Sequence, residues 1–179
     1  RGLMIASVRT FVDDVVPLIE RHGYPCRDAT NNRCVWMQHR WEVLLATDDH
    51  LSVRDTVRRL LPGAAAVEAE VRAETFDLSS GFPLRIEDLF DPETGWLGAL
   101  SAAAVERLAD QPWTDGRRVE GAGPQLENFG RFNLTPGGLV LAFPPGSIGG
   151  SGSHTVSITI PYRILDGYWQ PGGPVSLLD

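Results

Sequence analysis

An alternating segment at residues 66–77 constrains the fold of this chain more than any other stretch. Val67, Ala69, Val71 and Ala73 alternate there with charged residues, and a period of two residues is typical of a β-strand with one apolar face and one solvated face. The segment runs into residues 77–81, Asp-Leu-Ser-Ser-Gly, a composition that favours a tight turn. The chain is therefore expected to contain a half-exposed strand that ends in a tight turn.

The rest of the chain alternates between strand-like and helix-like patterns. Apolar periodicity predicts helices over residues 9–22 and 94–110 and a short helix over 162–169. Further strands are expected at residues 1–8, 35–47, 51–61, 84–86, 129–134, 139–143 and 156–160. Because the connections are short and the strands neighbour one another in sequence, we predict an α+β fold: an antiparallel β-sheet with an N-terminal helix and a second helix packed on one face. The length of 179 residues predicts a single domain over residues 1–179.

Charge and composition narrow the classes of partner. The formal net charge is -7, which argues against nucleic acid and against docking to anionic lipid, and favours a cationic partner. All 16 basic residues are arginine, and this bias indicates a GC-rich bacterial genome such as that of an actinobacterium. No apolar run is long enough to span a membrane, and a signal peptide or anchor is expected to have been trimmed.

The two cysteines bear on the compartment. Cys26 and Cys34 enclose a polar, turn-like segment, and no further soft ligands for a metal lie nearby. A disulfide closing this loop is the favoured interpretation and implies an extracytoplasmic location. Two unpaired buried thiols are the alternative.

Short motifs along residues 35–168 resemble, in their order and spacing, the RsiV-like extracytoplasmic domain family of bacteria. The motifs are Leu-Ser-Val at 51–53, Phe-Asp-Leu at 76–78 with Gly81 and Leu84, and the segments 86–90, 129–135, 138–143 and 158–162. Residues 1–34 are expected to hold an N-terminal strand and helix and the cysteine loop. The family is mostly a binding family that includes a lysozyme-sensing anti-sigma factor and secreted mycobacterial antigens. The family's second glycine and histidine are replaced in the turn at residues 62–65, so binding through that loop is not implied here.

The resemblance implies a non-catalytic, secreted or cell-envelope protein that binds a protein, such as a lysozyme or a host protein, or a cell-wall glycan. Contacts are expected in the loops at residues 111–124 and 146–154 or at neighbouring aromatic residues, because exposed aromatic and arginine side chains are frequent contact anchors. The candidate binding residues are Trp96, Trp113, Arg117, Arg118, His154 and Trp169. The alternative for the aromatic residues is that they close the edge of the core. A structural envelope domain without a small ligand is a further alternative for the whole chain.

Catalysis is the other alternative, as a cell-wall or lipid ester hydrolase. Ser153 and His154 are adjacent in a glycine-rich segment, but the Gly-x-Ser-x-Gly elbow is absent, and triads are assembled from distant segments. A loop between two strands is therefore favoured there. No cofactor is predicted, and no metal site, because the run Asp48-Asp49-His50 is better interpreted as a polar hairpin turn. Acidic residues at 87–93 are interpreted as helix caps rather than as a catalytic carboxylate pair.

Overall fold

The computed structural model of the protein describes residues 2–22, 35–61, 67–109, 119–148 and 155–178. Within these ranges the chain forms two α-helices, six strands and several short 3-10 helices. The α-helices are α1 (Gly2–His22) and α2 (Trp96–Ala109). The strands are β1 (Trp36–Ala46), β2 (His50–Leu60), β3 (Glu68–Asp77), β4 (Phe132–Thr135), β5 (Gly138–Phe143) and β6 (Val156–Ile160). The 3-10 helices span Ile86–Leu89, Glu120–Ala122, Leu126–Asn128, Tyr162–Leu165 and Pro174–Leu177.

The predicted α+β fold is confirmed, with its strands divided between two sheets. Each sheet is antiparallel and has three strands, in the order β1-β2-β3 and β4-β5-β6. The expected turn at residues 77–81 is present, because Asp77 Oδ1 accepts hydrogen bonds from the backbone N–H and the hydroxyl of Ser79, at 2.8 and 2.7 Å. The predicted strand at residues 84–86 does not form: Phe76 makes an isolated bridge with Pro83, and the 3-10 helix Ile86–Leu89 begins three residues later.

The prediction of a strand at residues 1–8 is wrong. Helix α1 begins at Gly2 and continues to His22, with Pro17 inside it. The segment Leu-Met-Ile-Ala at residues 3–6 contains three strong helix formers, and no breaking residue separates it from the predicted helix. Extending an existing helix adds a hydrogen bond for each residue fixed, whereas a new strand needs a partner strand.

Backbone packing divides the chain into two compact units. The smaller unit comprises residues 1–39 and 57–69, and the larger unit comprises residues 40–56 and 70–179. In the smaller unit, the side chain of Val15 on α1 is buried and that of Val12 is exposed. The Nε atom of Arg59 lies 2.9 Å from Oε2 of Glu68 in the same unit. The single-domain assignment over residues 1–179 stays a prediction.

The core of the larger unit lies on one face of the second sheet. Leu139, Leu141 and Phe143 of β5 point to this face, where they pair across strands with Ile160, Ile158 and Val156 of β6. Helix α2 packs against β6 and buries Leu100, Ala104 and Leu108. A sheet that buries one face alternates in burial along an edge strand, and β6 does so, since Ser157 and Thr159 are exposed.

Strand β5, in the centre of the second sheet, is buried along its whole length. Val140 and Ala142 point away from α2, yet they are only 9% and 2% exposed. Asn133 of β4 pairs with Val140 and therefore shares this face. Its amide contacts β2 of the first sheet, so the first sheet covers this part of the second one.

Gly138 is a glycine at which both the backbone conformation and the available space exclude a side chain. It begins β5 with φ +141°, and a Cβ built there would meet the carbonyl oxygen of Ile160 and lie 2.9 Å from Cα of Pro161. We expect Gly138→Ala to lower the free energy of unfolding by about 1–3 kcal/mol, measured by urea denaturation. Gly137→Ala is the matched control, because its Cβ would have no neighbour closer than 3.9 Å. Equal effects of the two changes would contradict the prediction.

Candidate functional site

Four aromatic side chains form a continuous stack at one edge of the core. The ring of Phe90 lies between those of Trp96 and Trp169, with centroid separations of 4.5 and 4.7 Å and interplanar angles of 3° and 19°. Tyr162 meets Trp169 edge to face at 5.8 Å and 76°. Stacked and edge-to-face pairs at these separations are favourable beyond the area that they bury. We call Trp96, Phe90, Trp169 and Tyr162 the aromatic stack.

Backbone pairing places the members of the aromatic stack. Phe90 and Trp169 form an antiparallel bridge, in which Gln170 N donates to Leu89 O at 2.9 Å and Asp91 N donates to Tyr168 O at 2.8 Å. Trp96 is the first residue of α2, six positions after Phe90. The stack therefore joins two chain segments that lie almost eighty residues apart in sequence.

Burial within the aromatic stack is graded. Phe90 is only 1% exposed, whereas Trp96, Trp169 and Tyr162 are partly buried and pack against the core. The indole Nε1 of Trp169 donates to the carbonyl oxygen of Tyr162 at 3.1 Å. Each tryptophan thus uses one ring face on Phe90 and keeps part of its surface in contact with solvent. Such a surface can contact an apolar side chain or the apolar face of a sugar.

The hydroxyl of Tyr162 connects the aromatic stack to the β4–β5 hairpin through hydrogen bonds. It donates to the carbonyl oxygen of Thr135 at 2.8 Å and accepts from the backbone N–H of Thr135 at 3.3 Å. Burial raises the pKa of Tyr162 to about 12, although the hydrogen bond to Thr135 acts in the opposite direction. The neutral phenol is therefore the form that the folded protein stabilises.

The pH dependence of the free energy of unfolding at alkaline pH tests the hydrogen bond between Tyr162 and Thr135. Because the pKa of Tyr162 is higher in the folded state, its contribution to stability is complete below pH about 10 and is lost as the pH rises to about 12. We expect Tyr162→Phe to remove this alkaline loss and to lower the free energy of unfolding at neutral pH by about 0.5–1.5 kcal/mol. Urea denaturation over a pH series measures both effects. An unchanged alkaline slope in the variant would contradict the assignment.

The structure brings together two of the six predicted binding residues, Trp96 and Trp169, on opposite faces of Phe90. Both tryptophans close the edge of the core, which was the alternative interpretation of the aromatic residues, and they stay partly exposed. Their binding role stays a prediction. The other predicted residues lie outside the described residues: Trp113, Arg117, Arg118, Ser153, His154, Cys26 and Cys34.

Two acidic residues of the segment 87–93 accept backbone hydrogen bonds, and one of them, Asp88, is a helix cap as predicted. Asp88 Oδ2 accepts from the backbone N–H of Arg85 at 2.7 Å, which caps the 3-10 helix Ile86–Leu89. Asp91 Oδ1 accepts from the backbone N–H of Glu93 at 2.9 Å, in the turn before α2. Asp48 and Asp49 form the bend between β1 and β2, as expected for a hairpin turn. Within the described ranges, no three histidine, cysteine, aspartate or glutamate side chains converge on one metal position.

A buried polar network joins the two sheets, and sequence analysis did not predict it. Asn133 Nδ2 donates to Ser52 Oγ at 3.0 Å and to the carbonyl oxygen of Val53 at 2.8 Å. Ser52 Oγ also lies 2.9 Å from Thr75 Oγ1 and accepts from the backbone N–H of Leu134 at 3.1 Å. Asn133, Ser52 and Thr75 are each 0% exposed. The available signal was a lone asparagine between Phe132 and Leu134, because asparagine is depleted in strands.

Arg54 borders this network. Its Nε atom donates to Asn133 Oδ1 at 3.4 Å, a long and weak contact. Burial lowers the pKa of Arg54, and the nearby charge of Glu42 acts in the opposite direction. An arginine stays protonated under such shifts, so Arg54 places a fixed positive charge beside the network.

The arrangement defines a protein of the α+β class that has an aromatic edge and no membrane-crossing helix within the described residues. A family model described as "Protein of unknown function (DUF3298)" matches residues 87–163, which include Trp96 and Tyr162. This segment contains α2 and the whole second sheet. No match was found among curated proteins.

Two solved structures share the fold. A member of the DUF3298 family from Bacteroides fragilis has a TM-score of 0.66 and 19% identity, over 94% of this chain and 67% of that one. A DUF3298 family protein from Pseudomonas aeruginosa has a TM-score of 0.54 and 18% identity, over 76% of this chain. The chain covers 62% of the Pseudomonas protein, less than two thirds of its length. At these identities the likeness is one of fold.

Proposed function

We propose that this protein is a non-catalytic binding protein of the cell envelope of a GC-rich bacterium, and that its partner is a lysozyme-like cationic protein. The main support is that the family match and the resemblance to the RsiV-like family cover the same part of the chain. The DUF3298 match at residues 87–163 lies wholly inside the span 35–168 that resembles the RsiV-like family. That family includes a lysozyme-sensing protein, and an extracytoplasmic location follows from the same resemblance.

Charge supports a cationic partner. The formal net charge of the chain is -7, and an acidic protein attracts a basic one over about 10 Å at ordinary ionic strength. Attraction of this kind raises the association rate more than it raises affinity. Specific binding therefore needs contacts that survive screening by salt, and aromatic and arginine side chains supply such contacts.

Calorimetric titration with a lysozyme, at low and at physiological salt, tests the proposal. We expect saturable binding that persists at physiological salt. Binding that disappears with salt would be charge attraction alone and would overturn the proposal. Binding to soluble peptidoglycan fragments without binding to lysozyme would also overturn it and would indicate a glycan-binding protein.

Variants of the predicted contact loop sharpen the titration. Trp113→Ala and the double change Arg117→Ala with Arg118→Ala are expected to weaken lysozyme binding at least about tenfold if they remove anchor contacts. Phe82→Ser is the control, because Phe82 is 72% exposed and lies at the tip beyond β3, outside the predicted loop. Equal affinities of these variants and the unmodified protein would exclude residues 111–124 as the contact site.

A further inference from the structure

Strand β1 is an edge strand that shows few of the devices that prevent strand pairing. It ends the order β1-β2-β3, and no further strand pairs with its outer side in the part of the chain that the structure describes. It is 11 residues long and contains neither proline nor lysine. Native proteins usually shorten, charge or cover such an edge, because its free backbone groups invite another strand.

Two large apolar side chains of β1 face solvent. Trp41 is 45% exposed and Val43 is 65% exposed. Because side chains alternate between the faces of a strand, Trp41 and Val43 lie on the same face. An apolar pair on an open edge is typical of a contact surface.

The charges of β1 are symmetric about Trp41. Arg40 precedes it and Glu42 follows it, and Arg40 Nη2 lies 3.1 Å from Glu42 Oε1 within one chain. Their side chains are 75% and 37% exposed, so this ion pair adds little to the stability of the free protein. If two copies of β1 pair antiparallel about a two-fold axis at Trp41, Arg40 of each copy faces Glu42 of the other.

In β1, the residues that this pairing would hydrogen-bond direct their backbone N–H and C=O groups away from β2. Thr47 N donates to His50 O at 2.9 Å, so Thr47 directs its backbone groups toward β2. Successive residues of a strand direct these groups to alternate edges, and Arg40 and Glu42 therefore direct theirs to the outer edge. Trp41 then takes the non-hydrogen-bonded position, at which side chains across two antiparallel strands approach most closely.

The opposite edge of the same sheet is unsuited to self-pairing. Strand β3 carries Glu70, Arg72 and Glu74 in one alternating row. A two-fold axis at Arg72 would place Glu70 of one copy against Glu74 of the other, and like charges in direct opposition are destabilising. Near its end, β3 is bridged by Pro83 through Phe76. The charge row of β1 is therefore complementary to itself, whereas that of β3 is not.

We propose that β1 is a dimerisation edge, at which a second copy of this chain adds its own β1 antiparallel about a two-fold axis at Trp41. The occupant is a second copy because the charge row of β1 is complementary to itself in this register. The two indoles meet across the axis, and the two intrachain ion pairs are exchanged for two between copies. The six-stranded sheet that results is independent of lysozyme binding, and the two proposals can fail separately.

A charge-swap experiment by sedimentation equilibrium tests the register. We expect the unmodified protein to show a monomer–dimer equilibrium. Arg40→Glu alone, or Glu42→Arg alone, should raise the dimer dissociation constant about tenfold or more, because each places like charges in opposition twice. An equimolar mixture of the two single variants should recover association, and so should the double variant R40E/E42R. Glu106→Arg is the matched control, because Glu106 is exposed on α2 and lies on neither edge strand, and it should leave the constant unchanged.

Three results would overturn the proposal. The first is an unmodified protein that stays monomeric up to about 1 mM, a concentration at which even an association free energy of about 4 kcal/mol would be detected. The second is failure of both the mixture and the double variant to recover the association lost by the single variants. The third is an equal loss of association in Glu106→Arg. Circular dichroism of each variant tests whether the fold stays intact, above all for Glu42→Arg, because Glu42 is half-buried and its charge lies near Arg54.

Discussion

Replacing Phe90 with alanine is expected to lower the free energy of unfolding by about 3–5 kcal/mol, the usual effect of deleting a buried phenylalanine ring. Phe90 is 1% exposed and its ring separates those of Trp96 and Trp169 by 4.5 and 4.7 Å. The change removes both stacked contacts and leaves a cavity that two large, partly anchored indoles cannot fill. Urea denaturation followed by circular dichroism gives the free energy.

Two further variants separate burial from stacking at this position. Phe82→Ala removes the same ring from a site that is 72% exposed, and its effect is expected to stay within about 0.5 kcal/mol. Phe90→Leu keeps an apolar side chain but loses the ring, so it should cost less than Phe90→Ala and still change the tryptophan fluorescence. If Phe90→Ala and Phe82→Ala were equally mild, the aromatic stack would not support the fold.

Replacing Asn133 with alanine is expected to lower the free energy of unfolding by about 2–4 kcal/mol. The amide donates to Ser52 Oγ and to the carbonyl oxygen of Val53, and Asn133 is 0% exposed. Without it, Ser52 Oγ loses a donor in a buried position and the partly buried Val53 carbonyl oxygen loses another, and an unsatisfied buried polar group costs about 1–3 kcal/mol. The cavity left by the side chain adds to this cost.

Asn128 provides the matched control for Asn133. Its Nδ2 atom also donates twice, to Gly123 O at 3.0 Å and to Gln125 Oε1 at 2.9 Å, but it is only half-buried. Asn128→Ala should cost about 1 kcal/mol or less, because water replaces the lost partners. A double-mutant cycle of Asn133→Ala with Ser52→Ala should give a coupling energy of about 0.5–3 kcal/mol. Additive effects would mean that the two sheets are not joined through this pair.

The elements of the fold were predictable where periodicity was strong. Residues 67–75 alternate without interruption, and β3 spans Glu68–Asp77. The apolar repeat at residues 94–110 corresponds to α2, Trp96–Ala109. The first residues of the chain were not predictable as helix, because a short apolar segment fits a strand and a helix equally well. Helix α1 extends to Gly2 because its neighbours are already helical.

The candidate site was predictable only in part. Trp96 and Trp169 could be singled out as large aromatic residues near element ends, but their common partner Phe90 could not. Contacts between residues almost eighty positions apart depend on the bridge between Phe90 and Trp169, which leaves no local pattern. Asn133 gave a weak signal as a polar residue in an apolar strand, and nothing in the sequence indicated Ser52 or Thr75 as its neighbours.

The sequence by itself determined the α+β class, the antiparallel strands, the turn at residues 77–81 and the acidic charge, because these depend on local periodicity, turn chemistry and composition. Only the tertiary structure decided that the strands divide into two sheets, that Asn133 joins them, and that β1 ends one sheet with Trp41 and Val43 exposed. The physical reason is that sheet pairing and side-chain burial are set by non-local contacts. An alternating pattern indicates that one face of a strand is apolar. The position of the strand in its sheet depends on which other segments pair with it.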